Sequence, residues 1–559
     1  MTLAAETIQH AWWKEAVVYQ VYPRSFKDSN GDGVGDLKGI TSKLEYIQRL
    51  GVNVIWLSPH FDSPNADNGY DIRDFRKVMA DFGTMADFDE LLHGIKQRNM
   101  KLILDLVVNH TSDEHAWFAE SRKSKDNPYR DYYFWRPAKD GHEPNNWVSF
   151  FSGSAWTLDP ATNEYYLHLF AAKQPDLNWD NPKVRREVYG LMKFWLDKGV
   201  DGFRMDVIPF ISKRPGLPDL PPDYMTRPQY FYAMGPHLHE YLREMNREVL
   251  SKYDAMTVGE AFGVTLEQTP SLVDERRHEL DMIFNFDVVR LNRDGEQWRD
   301  WTLPEMKAIY TTEDKALDAH SWNTVFLSNH DNPRVVSAFG DDSAAFRIPS
   351  AKLLATMVLT LKGTPFIYQG DELGMTNYPF TRIEEFDDIQ VKNGWKADVL
   401  TGKMKAGPYL ANLRKTSRDN SRTPMQWDDS SSAGFTTAAT PWLRVNPNYK
   451  DINAARELAD PSSIYNYFCK MVEFRKKTPA LVYGVYEDLD PGNAHIFAYT
   501  RTLGTEKYLV VLNFSKADVS YTLPGGITAG ELQISNLASR ESKTQVLQLK
   551  AWEARVYRQ

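Results

Sequence analysis

The chain has 559 residues, 66 of them basic and 75 acidic, for a net charge of −9, and 42% are hydrophobic. That length carries several cores and the composition is globular, which excludes a small disulfide-stapled scaffold and a mainly disordered chain. The acidic balance, without a Lys/Arg block, argues against nucleic acid as a partner, and the single cysteine, Cys469, excludes an intramolecular disulfide and a thiolate zinc site.

The opening residues, MTLAAETIQHAWWKE, place Glu6 before any lysine or arginine and hold no apolar stretch, so they do not read as a secretory signal. No run approaches the roughly 18 apolar residues of a membrane span. A monomeric cytoplasmic protein is expected, or a periplasmic one if this is the mature form of an exported chain. The first β-branched run covers 17–22. Behind it, Asp28-Ser-Asn30-Gly-Asp32-Gly-Val34-Gly-Asp36 puts oxygen donors at alternate positions, like the first half of an EF-hand loop, with Gly33 at the turn and the Val34 carbonyl available. It departs from that motif at the twelfth position, where Gly39 stands in place of the bidentate Glu. Its expected occupant is a structural Ca²⁺ or Mg²⁺, the alternative being a solvated acidic turn.

A helical pattern at 41–50 follows, then apolar runs at 52–58 and 102–109, a helix at 184–198, and further runs at 200–207, 256–262, 282–286, 324–329 and 365–369. Eight strands alternating with helices predict a parallel sheet, and eight is the number that closes into a (β/α)₈ barrel; an open doubly wound sheet is the competing reading. About ninety residues separate the third and fourth runs, too many for one crossover, which predicts an inserted subdomain over the barrel mouth, taken as 109–180. A second oversized connection spans 376–424. After about residue 480 the texture changes to short strands (496–499, 508–514, 546–549, 554–557) with PGN and PGG turns, predicting an antiparallel β domain over 480–559. The barrel itself then comprises 1–108 and 181–479.

Several predicted strands are apolar until their C-terminal end and then finish in chemistry-bearing residues: Asp105, Asn109 and His110; Arg204 and Asp206; Glu260; Asn329, His330 and Asp331. In a barrel those ends converge on the face that carries active sites. Like charges a few Å apart cannot all ionise cheaply, so one carboxyl keeps its proton while another is held as an anion. Arg204 and Asp206 share a strand face by the period of two, which marks Asp206 as the expected permanent anion. Glu260, with no cation adjacent in sequence, is the expected proton donor. A nucleophile and an acid about 5 to 5.5 Å apart make a retaining glycosidase, and Asp331 would stabilise the positive transition state. The bland alternative is a buried ion-pair network around Arg204.

The segments DLVVNH (105–110), GFRMDV (202–207), VGEAF (258–262) and SNHDNPR (328–334), with QPDLNW (174–179), resemble the α-amylase family of glycoside hydrolases, and by motif its oligo-1,6-glucosidases and sucrose isomerases. The resemblance implies a barrel with an inserted B subdomain and a C-terminal β-sandwich, no catalytic cofactor, and a structural cation in the 28–36 loop. It assigns Asp206 as nucleophile, Glu260 as acid/base and Asp331 as transition-state stabiliser. It further implies that Asp67 and Tyr70 (in DNGYDI), His110, Gln174, Arg204, His330 and Arg418 (in SRDNSRTP) grip a terminal glucose, making the enzyme exo-acting.

Substrate signals are mixed. Val207, after the nucleophile, resembles enzymes preferring α-1,6 bonds. Phe262 and Phe286 match the aromatic clamp of the isomerases, Arg290-Leu-Asn-Arg-Asp294 resembles their product-directing loop with Asn292 where Asp is usual, and Phe151 and Phe170 match pocket aromatics of both groups. The resulting expectation is a retaining α-glucosidase for small α-glucosides, especially isomaltose, isomaltulose, trehalulose and sucrose. Sucrose isomerase is the alternative. A catalytically dead sugar-binding relative would require a lost carboxylate, and all three are present.

Overall fold

The computed structural model describes residues 10–539 and 543–559. The stretch around Glu6, on which the reading of the N-terminus rests, lies outside them. All eight expected parallel strands are present: β1 (Val18–Val21), β2 (Val54–Leu57), β3 (Lys101–Leu106), β4 (Gly202–Met205), β5 (Met256–Glu260), β6 (Met282–Phe284), β7 (Thr324–Val325) and β8 (Thr364–Tyr368). They hydrogen-bond in the order β6-β5-β4-β3-β2-β1-β8-β7. The ring closes where the Thr324 hydroxyl donates to the Ile283 carbonyl at 2.9 Å.

These strands read as continuous apolar runs because both faces are covered. Val18, Val54, Trp56, Ile103, Met256, Val258, Met282, Phe284 and Phe366 form one cluster. Their sequence neighbours Val17, Tyr19, Ile55, Leu57, Leu102 and Leu104 belong to a second. The period of two thus sorts each strand between the barrel interior and the surrounding helices. Gly202, at φ 145°, has no room for a side chain: an added Cβ would come 2.0 Å from the Met256 carbonyl oxygen.

The helix expected at 184–198 forms as Pro182–Asp197, capped by the Asn181 side chain with Pro182 at its first turn. The one expected at 41–50 is instead two helices, Leu37–Ser42 and Leu44–Leu50, broken at Lys43. Asp36 starts the first of them by accepting from the Gly39 N–H, so the loop ahead dictates where it begins. Strand β3 stops short of the expected 109, because there the chain leaves the barrel to pair with the insertion: His110 bridges Asp176, and the Leu177 N–H donates to the Asn109 carbonyl at 2.8 Å.

The insertion holds a three-stranded antiparallel sheet of Trp135–Arg136, Glu164–Leu167 and Trp156–Asp159. Its Phe134, Trp147, Trp156 and Leu167 share a core with Val207, Phe210 and Tyr232, which follow β4, and this seats it at the barrel mouth. The 376–424 connection builds a small core of its own from Phe380, Phe386, Val391 and Leu413.

The C-terminal region is a five-stranded antiparallel sheet of β9 (Val485–Asp488), β10 (Ile496–Leu503), β11 (Glu506–Asn513), β12 (Glu531–Ser535) and β13 (Ala554–Arg558), ordered β9-β10-β11-β13-β12. A separate pair, Val519–Thr522 with Val546–Leu549, covers one face. Ile496 and Ala498 point to that pair, while Phe497 and Tyr499 join the barrel's outer core. Strands β9, β12 and Val519–Thr522 were not expected from the sequence; they are edge or half-exposed segments whose polar alternation carries little apolar signal. No helix among the described residues is long and apolar enough to cross a membrane.

Candidate active site

At the C-terminal end of the strands, one guanidinium serves three acids. Arg204, 1% exposed, donates from Nη1 to Asp105 Oδ1 (2.5 Å) and Asp206 Oδ1 (2.6 Å), and its Nη2 lies 2.7 Å from Glu260 Oε2. Asp105 also accepts from Trp56 Nε1 at 2.9 Å. Val207, directly after Asp206, sits at φ 35° and ψ 38°, a left-handed conformation costly for a β-branched residue. The sharp turn aims its N–H at Glu260 Oε2, 3.1 Å away.

This arrangement corrects the expected charge assignment. Arg204 is not reserved for Asp206, and Glu260 does not lack a cation. Burial pushes the Asp206 carboxyl well above the usual range; Arg204 opposes that, while the charges of Glu260 and Asp105 reinforce it. Burial likewise lifts Asp105 to about 6 against the pull of Arg204. One positive charge cannot hold three buried carboxylates ionised together.

A second cluster is richer in cations, with two guanidiniums for Asp331, Asp388 and Asp67. Asp331 Oδ1 accepts from Arg422 Nη2 (2.7 Å) and Arg418 Nη1 (3.4 Å). Burial works against its ionisation, yet His330 and the two guanidiniums of Arg418 and Arg422 hold the carboxyl far below its ordinary value. Arg418 also grips Asp388 through Nε (2.7 Å) and Nη2 (2.5 Å) and stands 3.6 Å from Asp67. His330 receives the Gln20 amide at Nδ1 (2.8 Å), so its ring proton sits on Nε2, which faces Tyr70 Oη (2.5 Å) and Asp331 Oδ2 (3.1 Å). Burial pushes His330 down to about 3, leaving it neutral at pH 7.

Beside these, Gln174 donates to Asp67 Oδ2 at 3.1 Å and lies 3.3 Å from His110. Burial raises Asp67 to about 7 in spite of Arg418, and it lowers His110 to about 4. Above lies a cavity of about 430 Å³ whose walls include Glu260, Asp331, Phe151, Phe170, Phe286 and Arg290. Phe262 and Phe286 stand 5.4 Å apart between centroids, and the guanidiniums of Arg290 and Arg418 lie over Phe262 and Phe151 at 5.8 and 5.3 Å. The structure therefore brings every expected acid and sugar-gripping residue to one mouth.

Sequence reasoning missed Arg422, Asp388 and Lys213. Arg422 was signalled by its spacing of four from Arg418, one helical turn, whereas Asp388 lies in a connection with no strand-end pattern. Lys213, 3% exposed, pairs with the buried Asp176 at 2.7 Å and donates to Asn109 Oδ1 at 2.8 Å, tying the insertion to the end of β3.

The 28–36 loop is a separate place. Asp28 accepts from the N–H groups of Asn30, Gly31 and Gly33 and from the Thr436 hydroxyl, which together hold it ionised against burial. Asp36 accepts from Ser29 and Gly39. Asn30 and Asp32 are exposed. An added Cβ at Gly39 would meet the Lys27 carbonyl oxygen at 1.9 Å, so the twelfth-position Glu of an EF-hand has no room. Among the described residues no three His, Cys, Asp or Glu side chains gather as a metal cluster; a cation here would lean on Asn30 and the Val34 carbonyl.

The α-amylase catalytic domain family matches residues 20–484, and the C-terminal domain of the α-amylase SusG matches 496–556. The chain is 54% identical over 561 residues to the oligo-1,6-glucosidase of Parageobacillus thermoglucosidasius, covering 99% of each. Among solved structures, an isomaltulose synthase variant from Erwinia rhapontici in complex with D-glucose is 54% identical with a TM-score of 0.97, covering 99% of this chain and 100% of that one. The trehalulose synthase of Pseudomonas mesoacidophila has the same identity, coverage and score. With this fold, these strand-end acids and a family match spanning most of its length, the chain belongs to the α-amylase family of glycoside hydrolases.

Proposed function

We propose that the protein is a retaining, exo-acting α-glucosidase for small α-glucosides, especially α-1,6-linked glucose and glucosyl-fructose disaccharides. The observation that carries this is the shared guanidinium: Asp206 and Glu260 are held on the two terminal nitrogens of Arg204, the close pairing of nucleophile and acid that double displacement uses. In this reading the cluster's proton passes from Asp206 to Glu260 as the sugar enters, and the Asp206 carboxylate so freed attacks the anomeric carbon. The bond to the leaving oxygen breaks as Glu260 delivers a proton to it. Water then attacks the glucosyl-Asp206 ester and returns a proton to Glu260. Asp331, anionic between Arg418 and Arg422, stabilises the developing positive charge, and Asp67, Tyr70, His110, Gln174 and His330 hold the glucose hydroxyls.

A second reading, sucrose isomerase, is favoured by the Phe262–Phe286 pair and by the isomaltulose and trehalulose synthases among the structural relatives. The two differ only in what attacks the glucosyl ester, water or retained fructose. Incubation with sucrose, isomaltulose and isomaltose separates them. Free glucose from all three supports the hydrolase; accumulation of isomaltulose or trehalulose from sucrose overturns it.

The same proposal keeps a structural Ca²⁺ or Mg²⁺ at Asp28, Asn30, Asp32, the Val34 carbonyl and Asp36. It supplies rigidity and takes no part in the chemistry.

A further inference from the structure

Part of the pocket wall is a hairpin of two residue pairs, Arg293 with Trp298 and Asp294 with Gln297, turning at Gly295 with φ 58°. Two pairs, extended only by the bond from the Arg299 N–H to the Asn292 carbonyl at 2.9 Å, are too few to hold a hairpin by themselves in water. Its buried side chain adds little: the Nε and Nη2 atoms of Arg293 have no hydrogen-bond partner among the described residues, and its Nη1 stays 3.9 Å from Glu296.

The support comes from the helix Ala406–Thr416, in the 376–424 connection. The Asn412 side-chain amide accepts from the Trp298 N–H at 2.8 Å and donates to the Glu296 carbonyl at 2.9 Å. One amide thereby meets the hairpin backbone with both a donor and an acceptor, as a neighbouring strand would. The hairpin in turn holds Arg290, whose Nη2 donates to the Gly295 carbonyl and to Glu296 Oε1, both at 2.8 Å. Arg290 then lies over Phe262, which faces Phe286. Arg290, Phe262, Glu296 and Asn412 all line the cavity that contains Glu260 and Asp331.

We propose that Asn412 is a positioning residue for the leaving sugar: it fixes the hairpin, the hairpin fixes Arg290, and Arg290 with Phe262 forms the wall against which the aglycone rests. This rests on the glucosidase reading. Asn412 touches no reacting atom, so its effect falls on the aglycone half of the site and leaves the glucose half alone.

The test compares the wild type with Asn412→Ala and Asn412→Asp on isomaltose, with glucose as product inhibitor and hydrogen exchange of the 293–298 segment. Losing both hydrogen bonds is expected to raise KM about tenfold in Asn412→Ala. The expected kcat and glucose inhibition constant stay near wild type, and the hairpin exchanges faster. Asn412→Asp keeps the acceptor and loses the donor, so its KM falls between; it also carries the test should the alanine variant not fold. Unchanged KM, or KM and the glucose constant rising together, overturns the proposal, as does unaltered hairpin exchange. A wild type that releases no glucose sinks the glucosidase reading instead, and hairpin exchange then still decides whether Asn412 holds the hairpin.

Discussion

Two clusters at the same barrel mouth handle charge in opposite ways. Around Arg204, three buried carboxylates share one guanidinium, and the Asp206 carboxyl is driven up. Around Asp331, two guanidiniums are at hand, and the carboxyl is driven down although it too is buried. Burial is common to both, so the ratio of cations to acids decides the direction. The first cluster has a proton to move; the second offers a fixed negative charge. Acid/base chemistry and electrostatic stabilisation need those two different states.

The sharpest way to break this contrast is to remove the mobile proton. Glu260→Gln keeps the shape and loses proton transfer, and is expected to lower kcat by about 10³-fold or more while sugar binding, measured by calorimetry, persists. Undiminished turnover would take Glu260 out of the chemistry. The pH profile sharpens the contrast further. Asp206 must be ionised to attack, so the acid limb of kcat/KM is expected above the ordinary carboxylate value of roughly 3.9. Replacing Asp105 by Asn removes one of the charges that raise Asp206, so that limb should move to lower pH. A limb that stays put would show that Asp105 does not act on the nucleophile.

How much of this was legible in the sequence follows from the same physics. Strands covered on both faces read as apolar runs, and polar residues stood out at their ends, so β1 to β8 and the positions of Asp206, Glu260 and Asp331 were visible. The sharing of Arg204 was not, because the strand period links Arg204 to Asp206 but says nothing of Glu260, which arrives on the neighbouring strand. Asp388 and Asn412 lie in a long connection where neither period nor strand end marks them. The half-exposed strands β9 and β12 hid for the opposite reason, since polar alternation at a sheet edge resembles a loop.

The smallest expected effect lies farthest from both clusters. If the 28–36 loop holds a cation, chelation by EDTA should lower the unfolding midpoint by about 1 °C for each kcal/mol of binding energy lost in a chain of this length, with kcat unchanged. A fall in kcat at constant stability would place the metal in the chemistry instead.

The contrast is tested most directly by the unfolding midpoints of Asp206→Asn and Asp331→Asn between pH 5 and 8. A carboxyl whose pKa is raised by folding favours the native state in acid and loses that contribution as pH rises through the folded value; one whose pKa is lowered favours it above the unfolded value. Asp206→Asn should therefore melt higher than the wild type toward pH 8, with the gain shrinking in acid, and Asp331→Asn should melt lower across the range. Midpoints that move in the same direction at pH 8 would contradict the opposed charge states on which the mechanism is built.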